Sequence, residues 1–432
     1  MERQYKDSGI EWIGRIPRDW NTTAIKQLMR LYAGATPKSD KEEFWDGNIA
    51  WITPADYKTE DVFISKGRRN ISNKGMESCA TTLLPINSII FSKRAPIGLV
   101  VLNSEPLCTN QGCIGCIPKN EKTNSKYYYY TLSAFTEQFE LFGAGTTFKE
   151  ISANNFANFI LPFPQIEEQQ RIAEYLDEKC GKIDGLIALQ EKMIAQLTDY
   201  KQSVITEAVT KGLNPDAQLV PSGIDWIGDV PKGWKVCRIK DIFRLRTGTT
   251  PKDFEQGLSS DALVNWFTPS DVAEMNCELT TSERHLSQEV INKEGIELSP
   301  AGSLIFVGIG ASAGKIGYAT VEGYSNQQIT MLIPKQNKCF GKYSYFYMIA
   351  DRKRIRDNAF FTTLPIINNS YLSGIKTLQP PIGEQHAIAE YLDEKCSEID
   401  RLIETKRQKI ETLKEYKKSV IFEAVTGKTI IE

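Results

Sequence analysis

The chain is written twice, and this constrains its fold more than any other feature, because a duplicated sequence folds as two copies of one unit. SGIEWIGRIPRDW at 8–20 returns as SGIDWIGDVPKGW at 222–234, and GATPK at 34–38 returns as GTTPK at 248–252. WITPAD (51–56) becomes WFTPSD (266–271), and SIIF (88–91) becomes SLIF (303–306). TNQ with its later IPK (109–119) becomes SNQ with IPK (325–335), and the offset stays between 214 and 216 residues throughout. IAEYLDEKC at 172–180 is repeated letter for letter at 388–396, and SVITEAV at 203–209 becomes SVIFEAV at 419–425. Stretches such as 55–87 and 270–302 share almost nothing, so the duplication kept a frame and changed its inserts.

Each copy has two parts of different periodicity. Residues 1–165 and 213–380 mix short apolar runs such as NSIIFS, GLVVL, GSLIFVG and QQITMLIP with Gly and Pro punctuation, which predicts strands. Helical stretches such as KYYYYTLSAFTEQFELF and KYSYFYMIADRKRIRD sit among them. Residues 166–212 and 381–432 each read as one long helix. Proline-containing lead-ins (PFPQIEEQ, PPIGEQ) precede acidic first turns that suit the helix dipole, and Gly212, with Pro215 beyond it, and Gly427 supply the stops.

In the first long helix Leu176, Cys180, Ile183, Ile187, Ile194, Leu197, Val204 and Ala208 fall on a 4-3 heptad seam, interrupted by Gln190 and Lys201. The second repeats it with Leu392, Cys396, Ile399, Ile403, Ile410, Leu413, Val420 and Ala424, interrupted by Lys406 and Lys417. About five sustained heptads predict a coiled coil, each helix spanning roughly 60 Å. A second stripe, Leu186, Met193 and Tyr200 in one copy and Leu402, Lys409 and Tyr416 in the other, widens the apolar face. It reads equally as packing against the chain's own globular domains or as a surface for a partner. The expected fold class is α+β: two tandem globular domains of mixed α/β structure, separated by two long helices that pair antiparallel about a pseudo-twofold axis. Such a dumbbell would fix the separation of its domains along any linear polymer that both bind.

Composition narrows the function. A hydrophobic fraction of 41% over 432 residues suffices for two or more cores. A formal charge of −2 excludes holding DNA by bulk electrostatics, so a nucleic-acid surface has to be local. Two stretches qualify: residues 62–94, with Lys66, Arg68, Arg69, Lys74, Lys93 and Arg94 against Glu77, and the cluster Arg352, Lys353, Arg354 and Arg356. No run approaches the ~18 apolar residues of a membrane span, and MERQYKDSG lacks the apolar stretch of a signal peptide, so a cytoplasmic protein is expected.

The nine cysteines show no repeated framework and read as reduced, packed thiols. Cys113 and Cys116 form a C-x-x-C, but no second pair or nearby histidine completes a zinc set, and CIGCIP reads as an alternating strand. GIGASAGKIG ends in Gly-Lys without being a phosphate loop, because Ile309 and Ile316 stand where a glycine and a hydroxyl are required. A glycine-rich turn between strands is expected there. The two histidines, His285 and His386, form no acid-base pair or metal cluster, and no Asn-Pro-Pro-Tyr run of an amino-methyltransferase occurs, so no active site is expected.

The combination of SGIEWIG-x-IP-x-x-W, GATPK, WITPAD, SKRAPIG, TNQG, GTTFKEIS, PFPQIEEQQRIAEYLDEK and SVITEAVTKGL, nearly all met again in the second half, resembles the specificity subunits of type I restriction-modification enzymes over essentially the whole chain. The resemblance implies two target-recognition domains, each reading one half of an asymmetric split DNA sequence, separated by an antiparallel coiled coil. It implies double-stranded DNA as ligand, two modification (methyltransferase) subunits docked on the helices, and restriction subunits for translocation and cleavage. No cofactor is expected on this chain; S-adenosylmethionine, ATP and Mg are expected in the partners.

The second half departs from the pattern where SKRAPIG is replaced by FVGIGASAGKIG at 306–317, leaving Lys315 as an approximate substitute for Arg94. GTTFKEIS likewise becomes FTTLPIIN at 361–368. Base discrimination needs cationic or amide side chains at a groove. The candidate DNA contacts are Lys38, Arg68, Arg69, Lys93, Arg94, Thr146, Thr147 and Lys149 in the first domain, and Lys252, Arg284, Lys315, Thr362 and Thr363 in the second. A competing reading, a coiled-coil DNA-binding scaffold or regulator without enzymatic partners, explains the helices but not two divergent inserts.

Overall fold

The structure, a computed structural model, describes residues 3–143, 149–251, 264–274, 278–287, 289–291, 297–357, 360–361 and 365–431. The chain forms two compact units, Met1–Glu191 with Gln408–Glu432, and Lys192–Arg407. Where the sequence divides linearly at 165, 212 and 380, compaction instead gives each unit one globular head together with part of both long helices.

The head of unit 1 rests on two sheets. Its strands are β1 (Met29–Ala33), β2 (Trp45–Ile52), β3 (Phe63–Ile64), β4 (Arg69–Ile71), β5 (Ile89–Ser92), β6 (Val100–Asn103), β7 (Leu107–Thr109) and β8 (Cys113–Pro118). The larger sheet runs β1-β8-β5-β6-β3 and the smaller β7-β2-β4. Pairing is antiparallel except for β7 with β2 and β3 with β6.

Every residue of β5 and β6 is buried because both faces of the sheet are covered. Ile89, Phe91, Val100 and Leu102 join a core with the tyrosines of helix α1 (Ser125–Ala134). Ile90 and Val101 face the other way, toward Ile52, Leu84 and Leu107. The same cover corrects the reading of CIGCIP as an alternating strand: β8 lies between β1 and β5, and its first four residues are all buried. Burial pushes the Cys113 thiol up to about 12 and raises that of Cys116 as well, so both are protonated packing groups.

Unit 2 repeats this head strand for strand. Its elements are β9 (Phe243–Thr247), β10 (Val264–Phe267), β11 (Glu278–Leu279), β12 (His285–Leu286), β13 (Leu304–Val307), β14 (Ile316–Ala319), β15 (Tyr324–Ser325) and β16 (Ile329–Pro334). They run β9-β16-β13-β14-β11 and β15-β10-β12, with the same two parallel pairs. The inserts 55–87 and 270–302, almost unrelated in sequence, therefore carry the same strands, β3 and β4 in one and β11 and β12 in the other. GIGASAGK (308–315) forms the turn between β13 and β14, and the final Ile316 and Gly317 of GIGASAGKIG begin β14.

Three further helices matter for function: α2 (Ile166–Lys211), α3 (Gly341–Asp357) and α4 (Ile382–Val425). In unit 1, Ile172, Leu176 and Cys180 at the start of α2 share a core with Val420, Ala424 and Val425 at the end of α4. In unit 2, Ile205, Ala208 and Val209 at the end of α2 meet Ile388, Leu392 and Cys396 near the start of α4. Within each unit the two helices therefore run antiparallel.

Two of the three lysines that interrupt the heptad seam are paired across it. Lys201 Nζ lies 2.8 Å from both carboxylate oxygens of Asp400, and Lys417 Nζ 2.7 Å from both of Asp184. In the observed alignment each of these lysines inside the seam is thus neutralised by a carboxylate of the facing helix.

Matched hydrogen bonds tie each head to its helices. Trp20 Nε1 donates to Glu168 at 2.7 Å and Trp234 Nε1 to Glu384 at 2.8 Å. The buried amides of Gln169 and Gln385 donate to the carbonyls of Pro164 and Pro380 and accept from the backbone N–H groups of Asn124 and Phe340. Tyr127 and Tyr343 donate to the carbonyls of Val425 and Val209, at 3.0 and 3.1 Å. No helix among the described residues is long and apolar enough to cross a membrane.

Candidate nucleic-acid interface

The repeated motifs prove to be the frame on which the candidate residues hang. In WITPAD the Asp56 carboxylate accepts from the backbone N–H and hydroxyl of Thr53, both at 2.7 Å, and its other oxygen accepts the backbone N–H of Arg68 at 3.0 Å. In WFTPSD, Asp271 binds Thr268 in the same way and accepts the N–H of Glu283 at 2.7 Å. One aspartate thus pins the insert to the sheet in each head. The glycine of GATPK and GTTPK is needed for close approach: a Cβ at Gly34 would lie 2.1 Å from the Asn110 carbonyl oxygen, and one at Gly248 2.2 Å from that of Asn326.

On this frame unit 1 gathers its cations into two groups. The Trp45 indole donates to the Lys38 carbonyl at 3.1 Å, and the Arg69 guanidinium lies over the Trp45 ring at 3.7 Å. Arg68, exposed beside them, donates to the Ala55 carbonyl at 2.8 Å. In the second group Glu150 accepts from two cations at once, Lys93 at 2.7 Å and Arg94 at 2.8 Å, with exposed Lys149 next in the chain. The hydrogen bond from Lys93, assisted by that from Arg94, holds the Glu150 carboxyl below its usual range against a smaller opposing effect of burial. Sequence reasoning passed over Glu150, although it follows Lys149 inside GTTFKEIS. Lys74 of the basic 62–94 stretch pairs with Glu43 at 3.0 Å.

Unit 2 keeps the frame and changes the tips. Arg284, exposed, holds the place of Arg69: its carbonyl accepts from the Trp266 backbone N–H at 3.1 Å, as Arg69 stands opposite Trp51. Glu283 stands where unit 1 has Arg68, which reverses the charge. Lys315 is not the substitute for Arg94 that sequence alignment offers. Arg94 bridges Glu150 and Ile309 bridges Ile366, while Lys93 N donates to Gly112 O and Gly308 N to Gln328 O, so backbone pairing matches Arg94 with Ile309 and Lys93 with Gly308.

Lys315 instead belongs to a group around Glu274, at 3.7 Å, with Arg352 and Arg356. Burial alone would raise the Glu274 carboxyl, but the three cations outweigh it and leave it lowered. Arg354 is committed to buried Asp351 on its own helix, so the 352–356 cluster is partly structural. Thr146, Thr147, Lys252, Thr362 and Thr363 lie outside the described residues. No group of His, Cys, Asp and Glu that could hold a metal ion occurs among the described residues.

The second stripe of the long helices is exposed, at matched positions and to matched degrees. Leu186 and Leu402 are 47% and 46% exposed, and Tyr200 and Tyr416 are 58% and 55% exposed. Met193 and Lys409 are exposed too. With the helices antiparallel, the Asp184–Lys417 pair sets Leu186 and Tyr416 at about the same level along the helices of unit 1, and the Asp400–Lys201 pair does the same for Leu402 and Tyr200 in unit 2.

The family described as the type I restriction modification DNA specificity domain matches residues 17–199 and again 231–415. The MjaIX specificity subunit of Methanocaldococcus jannaschii is 32% identical over 253 residues, 57% of this chain and 56% of that relative, so the chain spans about half of its length. The MjaVIII specificity subunit of the same organism is 23% identical over 96% of this chain and 94% of its own. A solved chain from a study of complex assembly and conformational transition in a type I R-M system superposes with a TM-score of 0.75 at 15% identity, covering 96% of this chain and 99% of that one. The HsdS subunit from Thermoanaerobacter tengcongensis gives 0.52 at 15% identity, covering 96% and 98%. At such identity the likeness is one of fold. The double family match, laid over two heads of one topology, means that this chain belongs to the type I restriction-modification DNA specificity family.

Proposed function

We propose that the chain is the DNA-reading subunit of a type I restriction-modification enzyme, in which each head reads one half of a bipartite, asymmetric double-stranded target. The observation that carries this reading is that two heads with one strand order and one hydrogen-bond frame present different side chains at matched points: Arg68 against Glu283, Arg94 against Ile309. A duplication kept for packing alone has no need of such differences, whereas two readers of unlike half-sites require them.

The equal apolar patches, Leu186 with Tyr416 and Leu402 with Tyr200, favour two copies of one partner, which we assign to two modification (methyltransferase) subunits, with restriction subunits joining that assembly. In this reading S-adenosylmethionine, ATP and Mg belong to those subunits, and the long helices set the gap between half-sites. The test is co-expression with the methyltransferase subunit, followed by mapping of methylated sites. Two methyltransferase subunits per chain and a split, asymmetric methylated sequence are expected, and replacing Tyr200 and Tyr416 together by Asp should abolish co-purification. A chain that purifies alone and directs no methylation would instead be a DNA-binding scaffold, and the reading would fall.

A further inference from the structure

The Lys93–Glu150–Arg94 group has an unusual property: its three members are replaced together in the other head, by Gly308, Ile366 and Ile309, while the backbone they decorate stays the same. Ile151 N donates to Lys93 O at 3.0 Å, and Ile367 N donates to Gly308 O at 2.8 Å. The loop therefore closes without any of the three charges, so the ionic group is not what folds it. Its geometry is that of a held arginine. Arg94 Nε is spent on Glu150 at 2.8 Å, and its two terminal nitrogens have no protein partner among the described residues. Lys93, half-buried, neutralises the second carboxylate oxygen at 2.7 Å.

A guanidinium fixed by its Nε and open at its two ends presents the parallel N–H pair that matches O6 and N7 of guanine in the major groove. Fixing it beforehand lowers the ordering cost of binding. Glu150 also cancels part of the attraction of this loop for bare phosphate, which carries no sequence information. Ile309 at the matched point can offer only apolar contact, of the kind a thymine methyl accepts.

We infer that Arg94 reads a guanine in the half-site of the first head and that Glu150 is the positioning residue that holds it. The inference rests on the reading of unit 1 as a DNA-recognition head. The experiment uses the assembled complex with its methyltransferase subunits and a pool of DNA targets randomised across both half-sites. Arg94→Ala should lower the preference for guanine at one base pair of one half-site by about tenfold to a hundredfold, the range of a lost bidentate contact, and leave the other half-site unchanged. Glu150→Gln should lower the same preference by a smaller factor, roughly threefold to tenfold, while raising binding to unrelated DNA.

The combined variant Lys93→Gly, Arg94→Ile, Glu150→Ile imports the residues of the second head. It should melt like the parent and show the loss of Arg94→Ala, which separates recognition from folding. If Arg94→Ala weakens all sequences alike and lowers the salt slope by about one, Arg94 is a phosphate contact and the inference is overturned. A change of preference at an A·T pair, or a Glu150→Gln complex with the parental preference, overturns it as well. A parent complex with no base preference in either half-site removes the recognition reading itself.

Discussion

The two units differ least where a head meets its helices and most at the candidate DNA-contacting cations. Trp20 and Trp234, Gln169 and Gln385, and Tyr127 and Tyr343 make the same hydrogen bonds at nearly the same lengths. Lys93, Arg94 and Glu150, by contrast, have no charged counterpart at all. After duplication, a polar group that satisfies a buried partner cannot change without stranding that partner, which costs about 1 to 3 kcal/mol, whereas an exposed cation changes at almost no cost to the fold. The comparison thus sorts residues into those that hold the fold and those free to acquire a reading role.

Matched substitutions probe how equal the halves are. The largest effect is expected at the helix pairs, where Lys201 is 2% exposed and Lys417 is 23% exposed. Asp400→Ala leaves a buried ammonium without its partner and should cost about 2 to 3 kcal/mol in urea unfolding, while Asp184→Ala, whose lysine reaches water, should cost under about 1 kcal/mol. Equal losses would break the asymmetry.

Next come the glycines that end the long helices, both at positive φ, +75° at Gly212 and +72° at Gly427. A Cβ at 427 would lie 2.5 Å from Pro17, against 3.2 Å from Trp234 for one at 212. Gly427→Ala should therefore cost about 2 kcal/mol or more and Gly212→Ala about 1 kcal/mol, read from unfolding midpoints. Smallest, and matched, are Tyr127→Phe and Tyr343→Phe, each losing one hydrogen bond to a buried carbonyl for about 1 kcal/mol. A gap between these two larger than a few tenths would show that the frame is not equivalent in the two units.

Much of this was legible in the sequence. The duplication, the two long helices with their glycine stops, and the heptad seam follow from spacing alone, because helix periodicity and capping are local. Lys201 and Lys417 were visible as gaps in the seam, but Asp184 and Asp400 as their partners were not, since partnership depends on how segments some two hundred residues apart align. The inserts hid their common fold because short edge strands such as β3 and β11 ask little of sequence beyond one buried side chain, Ile64 or Leu279. Alignment by letters matched Lys315 to Arg94, whereas the backbone bridges place Ile309 there. The stripe could have packed against the heads or faced outward, and only the exposure of Leu186, Tyr200, Leu402 and Tyr416 distinguishes the two.

Unit 2 is a single continuous stretch, Lys192–Arg407, whereas unit 1 is completed by Gln408–Glu432, whose Val420, Ala424 and Val425 are buried in its core. During synthesis the ribosome delivers every residue of the later-written head before it delivers the segment that the earlier-written one needs. The nascent first head therefore has the seat for Val425 unfilled while more than two hundred residues are added, whereas all of the second head's residues precede that segment. The segment made last thus completes the core of the head made first, and premature termination within the last helix is expected to damage that head rather than the second.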